Sequence, residues 1–288
     1  MRRLRDLLAL ARPKHWAKNA FVFMPLPFGL AAGGRLDLAV LLLGLLGFSL
    51  ATSAAYAFND AQDAPQDRSH PDKRERPVAA GRIGPAGARA WSAVLLLAGV
   101  GLVLLTGSRA ALTVLVVYLL LNAVYSLGAK DVALIDVFLL ASGFVLRVLL
   151  GCALIGVPPS NWLLLCSSTL ALFLSLAKRR ADLARGLGSE QRPSLAGYSP
   201  GFLDQAIGIS AAMTLIAYAL YCMEAEVLVA GREFASLPFV LFGVLDYLRV
   251  AALTERAGSP VDLILSSPAL LVCGLGWAAA TLWSLGLF

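Results

Sequence analysis

Three aspartates spaced by three and four residues carry the first chemical signal in this chain. They are Asp60, Asp63 and Asp67, in the run Asn59-Asp60-Ala61-Gln62-Asp63-Ala64-Pro65-Gln66-Asp67. On a helix such spacings share one face, as do Asn59 and Asp63, and carboxylates so placed repel unless a cation sits among them. Hard oxygen donors suit Mg²⁺, which binds through a few carboxylates plus substrate phosphates. Asn59, Asp60, Asp63 and Asp67 are therefore candidate metal ligands, and the three aspartates candidate catalytic residues. A solvated acidic helix end accounts for the same spacing. The neighbours favour a site: Asp67-Arg68-Ser69-His70-Pro71-Asp72-Lys73-Arg74-Glu75-Arg76-Pro77 follows at once, and Lys73, Arg74 and Arg76 can hold phosphate oxygens. Carboxylates beside such cations describe a diphosphate site. Pro65 should kink or end the helix, so Asp67 is expected to reach the site from a bent or non-helical segment.

Other polar residues lie at or inside apolar stretches. Tyr125 and Lys130 flank a turn, Asp136 opens the next apolar stretch, and Arg147 lies 11 residues on, roughly 16 Å deeper along a helix. An arginine at that depth must face protein interior or a wet cavity. It either ties helices together or draws an anionic head group inward. Lys178-Arg179-Arg180-Ala181-Asp182-Leu183 and Arg12-Pro13-Lys14-His15-Trp16-Ala17-Lys18-Asn19 are topological anchors, phosphate sites, or both. Lys18 stands where an apolar stretch begins and can face the same mouth.

The elements that position these residues are membrane helices. Hydrophobic residues make up 59% of the 288 and charged residues 15%, against roughly a quarter charged in soluble domains. The apolar runs are continuous rather than alternating, which selects helices over a barrel. Nine spans are predicted, at 16–33, 37–57, 90–107, 110–128, 132–155, 160–177, 204–223, 235–252 and 262–286, after a short amphipathic interfacial helix at 1–11. The fold class is an all-α membrane protein in a single domain, 1–288, with polar loops at 58–89 and 178–203. With nine spans, 20 of the 24 lysines and arginines fall on one side and 3 on the other. The positive-inside rule then puts the N-terminus and both polar loops in the cytoplasm. This explains the net charge of +6 better than nucleic-acid binding does. No cleavable signal peptide is read at the N-terminus. The four cysteines form no C-x-x-C pair and read as packing residues, and two histidines are too few for a histidine-based metal site.

Taken together these residues resemble the UbiA superfamily of intramembrane prenyltransferases, whose first aspartate-rich motif has the pattern N-D-x-x-D-x-x-x-D. Within it the chain looks most like the polyprenyl-phosphate phosphoribosyltransferases of the decaprenyl-phosphate type. The matching stretches are RPKHWAKN at 12–19, NDAQDAPQDRSHPDKRERPVAAG at 59–81, YSLGAKDVALIDVFLLASGFVLR at 125–147, LFLSLAKRRADL at 172–183 and RPSLAGYSPGFLDQ at 192–205. The likeness covers 12–223, and the last two spans weakly. It implies a UbiA-like bundle of about nine helices in the bacterial inner membrane, with an active site facing the cytoplasm. It also implies Mg²⁺-dependent transfer of 5-phosphoribose from phosphoribosyl diphosphate to a polyprenyl phosphate, releasing diphosphate. The lipid-linked product normally feeds arabinofuranose donors for cell-envelope glycans. Asn59, Asp60, Asp63 and Asp67 carry over as the metal and diphosphate set. Lys18, Lys73, Arg74, Arg76, Lys130, Lys178 and Arg179 carry over as phosphate contacts, with Tyr125, Arg192 and Tyr198 nearby and Asp136 and Arg147 in a matching stretch. Prenyl transfer to an aromatic acceptor on the same fold is the alternative, and a transporter or lipid-binding protein relaying through Asp136 and Arg147 is another. Oligomeric state stays open, a homo-oligomer included. The chain departs from the family at Asp246-Tyr247, where Arg-Tyr is expected, and at Ser266-Ser267, where Asp-Arg is expected.

Overall fold

The computed structural model describes residues 2–68, 73–253, 263 and 266–288, and among them every regular element is helical. In chain order the α-helices are α1 (Arg2–Ala11), α2 (Leu26–Ala31), α3 (Leu38–Asp67), α4 (Pro85–Leu105), α5 (Arg109–Ser126), α6 (Ile135–Ile155), α7 (Asn161–Ala184), α8 (Pro200–Glu224), α9 (Leu237–Leu253) and α10 (Pro268–Ser284). Six of them, α3 to α8, are long and apolar enough to cross a membrane, and the chain is a multi-pass membrane protein. α9 and α10 have 17 residues each. Residues 69–72 of the cation-rich run, most of the loop 249–261, and the start of the ninth predicted span lie outside the described residues.

The first predicted span, 16–33, is not one helix. A 3-10 helix runs over Pro13–Phe23, and α2 restarts after Pro25 with Pro27 in its first turn. Two prolines without N–H groups break the α-helical ladder, which average hydropathy does not register. The broken segment lies tight on α6, where a Cβ on Gly151 would clash with the Val22 carbonyl.

α3 has 30 residues, roughly 45 Å of helix against a hydrocarbon layer of about 30 Å. Its last turns, with the aspartates, therefore stand clear of the apolar zone. Asp37 starts it, accepting from the Ala39 and Val40 amides, and serines cap α5, α7, α8 and α10 in the same way. In lipid, helices associate through close packing rather than hydrophobic drive, and α3 meets α4 on small residues. A Cβ on Gly99 would sit 2.6 Å from the Gly47 oxygen and 2.8 Å from the Ala51 nitrogen, and Ser92 donates to the Ala54 carbonyl. Gly99→Leu is expected to force these helices apart at a cost of about 1–3 kcal/mol, read as a lower melting temperature in detergent. An unchanged melting temperature would show that the contact is dispensable.

α1 is amphipathic, as predicted, and it docks on the bundle. Leu10 and Ala11 are buried while Leu4 and Leu8 are exposed, and Trp91 of α4 donates to the Leu7 carbonyl. One apolar core joins α3 to α6 around Phe48, Leu115 and Leu150. A second joins α7 to α9 around Phe173, Leu203 and Tyr247.

Candidate active site

α3 stays helical through Pro65 to Asp67, contrary to the expected kink. Pro65 sits in the last turn, where its missing N–H removes a single bond. All three aspartates therefore keep helical spacing. Positions seven apart differ by about 20° around the axis, and positions three apart by about 60°. The contacts follow that geometry. Asp60 Oδ1 and Asp67 Oδ2 both accept from Arg76 Nη1, at 3.1 and 2.7 Å. Asp63 turns aside to Lys130 Nζ at 2.9 Å. Arg12 also donates to Asp60, and Lys73 lies 3.8 Å from Asp67. Ser126 donates to Asn59 Oδ1 at 2.8 Å. Asp60 and Asp67 are buried.

Arg12 is delivered by a bend at the end of α1. It adopts φ 49°, ψ 56°, a left-handed conformation uncommon outside glycine, and its guanidinium lies 5.1 Å from the centroid of the Tyr56 ring. Burial holds its pKa below the usual arginine value, with Asp60 opposing, and it stays charged. Burial also holds the Lys73 ammonium below the lysine range; Asp67 opposes this, and Arg76 and Arg192 reinforce it.

Among the described residues no three acidic, histidine or cysteine side chains converge on one point. The donor set still fits Mg²⁺. Asp60 and Asp67 already share one positive group, and this ion needs only one or two carboxylates when substrate phosphates and water complete its shell. The arrangement suits a metal arriving with a diphosphate and not a closed protein cage.

A second cluster faces the first. Asp136, fully buried, accepts from Arg179 Nε (2.6 Å), Ser194 Oγ (2.9 Å) and the Tyr198 hydroxyl (2.6 Å). Tyr198 in turn accepts from the Leu134 amide, where Leu134 has φ 67°. Burial and the bond to Asp136 push the Tyr198 hydroxyl pKa up, so it remains a donor. Asp182 joins Arg179 at 2.9 Å to Arg192 at 3.1 Å, and Arg192 reaches the Tyr125 hydroxyl at 3.2 Å. Lys18 and Lys178 lie within electrostatic reach of one another. Two of the expected phosphate or head-group residues stand apart. Arg74 is exposed and pairs with Glu75. Arg147 donates to Asn19 Oδ1 at 2.8 Å and to the Gly143 carbonyl at 2.6 Å, and packs against Phe48, Tyr118 and Phe144. Asn19 bonds Ser49 of α3, so Arg147 ties the first segment to α3 and α6. At the departures from the family pattern, Asp246 pairs with Arg249 one turn on at 2.6 Å, and Ser267 caps α10.

Sequence reasoning named Arg12 and Asp182 only as members of the two basic runs, without singling them out for the site, and it passed over Ser126 and Ser194. The i,i+3 spacing of Arg179 and Asp182 was a legible ion-pair signal. Nothing local marked Ser126 or Ser194.

An apolar cavity of about 750 Å³ lies between the 3-10 segment, α2 and helices α6 to α10. Phe21, three residues after Lys18, and Leu174, one turn before Lys178, are among its lining residues. Its lining runs from these residues to Glu224 and Val227.

Comparison with known proteins agrees with this architecture. The UbiA prenyltransferase family model matches residues 20–261. A decaprenyl-phosphate phosphoribosyltransferase of Corynebacterium glutamicum is 33% identical over 94% of this chain and 84% of its own. One from Mycobacterium tuberculosis is 32% identical over 93% and 90%. A UbiA homolog from Archaeoglobus fulgidus, solved with DMAPP and Mg²⁺, superposes with a TM-score of 0.72 at 20% identity, over 98% of this chain and all of its own; at that identity the likeness is one of fold. By its family match, its fold and its long-range similarity to these enzymes, the chain belongs to the UbiA prenyltransferase family.

Proposed function

We propose that this enzyme transfers 5-phosphoribose from phosphoribosyl diphosphate to a polyprenyl phosphate, with Mg²⁺, at the cytoplasmic face of the bacterial inner membrane. The observation that carries the reading is the cluster in which Asp60 and Asp67 share Arg76 while Asp63 meets Lys130, and an apolar cavity whose lining comes to Leu174, one turn before Lys178, supports it. Relatives named for this activity match nearly the whole chain, and the cation-rich end supports the cytoplasmic orientation. The lipid-linked product is a precursor for cell-envelope arabinan.

Asp60 and Asp67, with Asp63 beside them, would hold Mg²⁺ together with the substrate, and the ion would supply charge neutralisation for the departing diphosphate. Arg12, Arg76 and Lys73 exchange carboxylate partners for diphosphate oxygens and stabilise the charge that develops there. Lys130 and Arg192 hold the sugar phosphate from the facing wall. The lipid phosphate enters by Lys18 and Lys178, with its chain in the cavity. Its oxygen attacks the anomeric carbon opposite the diphosphate and inverts it. A phosphate monoester is already anionic, so positioning matters more than deprotonation.

Membranes given labelled phosphoribosyl diphosphate and polyprenyl phosphate are expected to yield lipid-extractable label. If label stays in water while a prenyl diphosphate couples to an aromatic acid, the reading yields to aromatic prenyl transfer. Lys130→Met is expected to raise KM for phosphoribosyl diphosphate about tenfold, the worth of one charge-assisted hydrogen bond, with kcat little changed. An unaltered KM would remove Lys130 from the donor site.

A further inference from the structure

The 10 residues of α1 are too few to hold a helix in water on their own, so α1 needs surfaces to lie on. The bundle supplies one. Leu10 packs with Ala57 and Ala61 of α3, and Ala11 with Ala54. The Ala11 carbonyl accepts from Ser53 Oγ at 2.6 Å. Ala57 stands roughly 29 Å along α3 from Leu38, about the thickness of the hydrocarbon layer. The docked helix therefore lies level with the lipid head groups.

The outward side of α1 is bare. Leu4 is 64% and Leu8 51% exposed, and one turn apart they make an apolar ridge. Arg3 and Arg5 are exposed as well, each about 100° from Leu4 and on opposite sides of it. Asp6, the one acidic residue of the helix, stands about 200° from Leu4, away from the ridge. Arg82 neutralises it at 2.9 Å. The bare side is thus apolar along its crest and cationic along both flanks, the pattern that seats a helix in the surface of a negatively charged bilayer.

We infer that this side of α1 is a docking surface for anionic phospholipid, with Leu4 and Leu8 in the acyl boundary and Arg3 and Arg5 among the head groups, and that the attachment steadies Arg12. A zwitterionic lipid covers the leucines equally well but leaves the two guanidinium groups without a net counter-charge. The link to Arg12 is short. Its amide donates to the Leu8 carbonyl at 3.2 Å, and its guanidinium reaches Asp60. Fraying of α1 from its outer end loosens the residue that carries this cation. The surface itself stands on the geometry of α1; its consequence for the reaction rests on the reading of Asp60 as part of the donor site.

The test places the full-length protein in nanodiscs of phosphatidylcholine, alone or mixed with phosphatidylglycerol, and follows amide hydrogen exchange of the peptide covering α1. Exchange is expected to be on the order of tenfold slower in the anionic discs, a few-fold for each arginine, and the difference should shrink at high salt. The double variant Arg3→Gln, Arg5→Gln should abolish the difference. Arg180→Gln, which removes a surface arginine paired with Asp204, should leave it intact. Equal protection of wild type in both discs would overturn the proposal, showing that α3 and α4, or a second copy of the chain, hold this helix without lipid charge. Equal gains by wild type and the double variant would also overturn it, assigning the grip to other cations. Phosphoribosyl transfer is measured on the same discs. The anionic lipid should lower KM for the donor a few-fold more in wild type than in the double variant; repulsion of the donor by the lipid acts on both proteins alike. KM values that move together would break the link to Arg12. No transfer in either disc, beside protection that still follows lipid charge, would sink the proposed activity and leave the docking surface standing.

Discussion

Asp60→Asn is expected to lower phosphoribosyl transfer roughly 10²–10³-fold, the usual loss when one preorganised electrostatic group is removed from a site of developing charge, while the protein stays folded. The argument is geometric. Asp60 and Asp67 lie on the same side of α3 and share Arg76, so losing one charge unbalances the pair that would hold the ion. Asparagine keeps the shape and can still accept from Arg12. The stability cost should be small, because Arg12 and Arg76 remain partly exposed and Arg76 retains Asp67. Label in the organic phase, followed across a Mg²⁺ titration, gives the rate, and a melting curve gives the stability. A wild-type rate at saturating Mg²⁺ would remove Asp60 from the chemistry. A collapsed melting temperature would make its role structural.

The largest stability effect should come from Asp136→Ala. Asp136 and Arg179 are both fully inaccessible, and removing one partner of a buried pair costs about 3–5 kcal/mol, because the other charge is left uncompensated. The same change releases Ser194 and Tyr198, so the segment between α7 and α8 should become open to proteolysis. The double change Asp136→Leu with Arg179→Met should recover much of the stability, since matched apolar residues often replace buried pairs without loss. If the restored fold is inactive, Arg179 also serves substrate; its Nη2 is buried without a partner among the described residues. If Asp136→Ala melts like wild type, the buried pair is not what fastens this loop.

The aspartate motif, the cation-rich loops and the membrane class were legible because each depends on residue type and local spacing. The docking of α1 was half legible: its amphipathic pattern predicts an apolar face, but the pattern is the same whether that face meets lipid or, as here, Trp91 and α3. The division of the aspartates between Arg76 and Lys130 was present in the helical angles. It was obscured by assuming that Pro65 breaks the helix, whereas a proline in the last turn is tolerated. The first span was misread because apolarity was averaged across Pro25 and Pro27. Arg147 does face the protein interior, as expected, but its partners, Asn19 and Tyr118, come from segments that meet only in the folded bundle.

The docking of α1 has a practical consequence. Arg12 reaches Asp60 because the preceding ten residues are clamped against α3 and α4. On the proposed reading α1 thus fixes one of the cations of the diphosphate site. Deleting α1 is expected to unmoor that cation from the proposed site while leaving helices α3 to α8 in place.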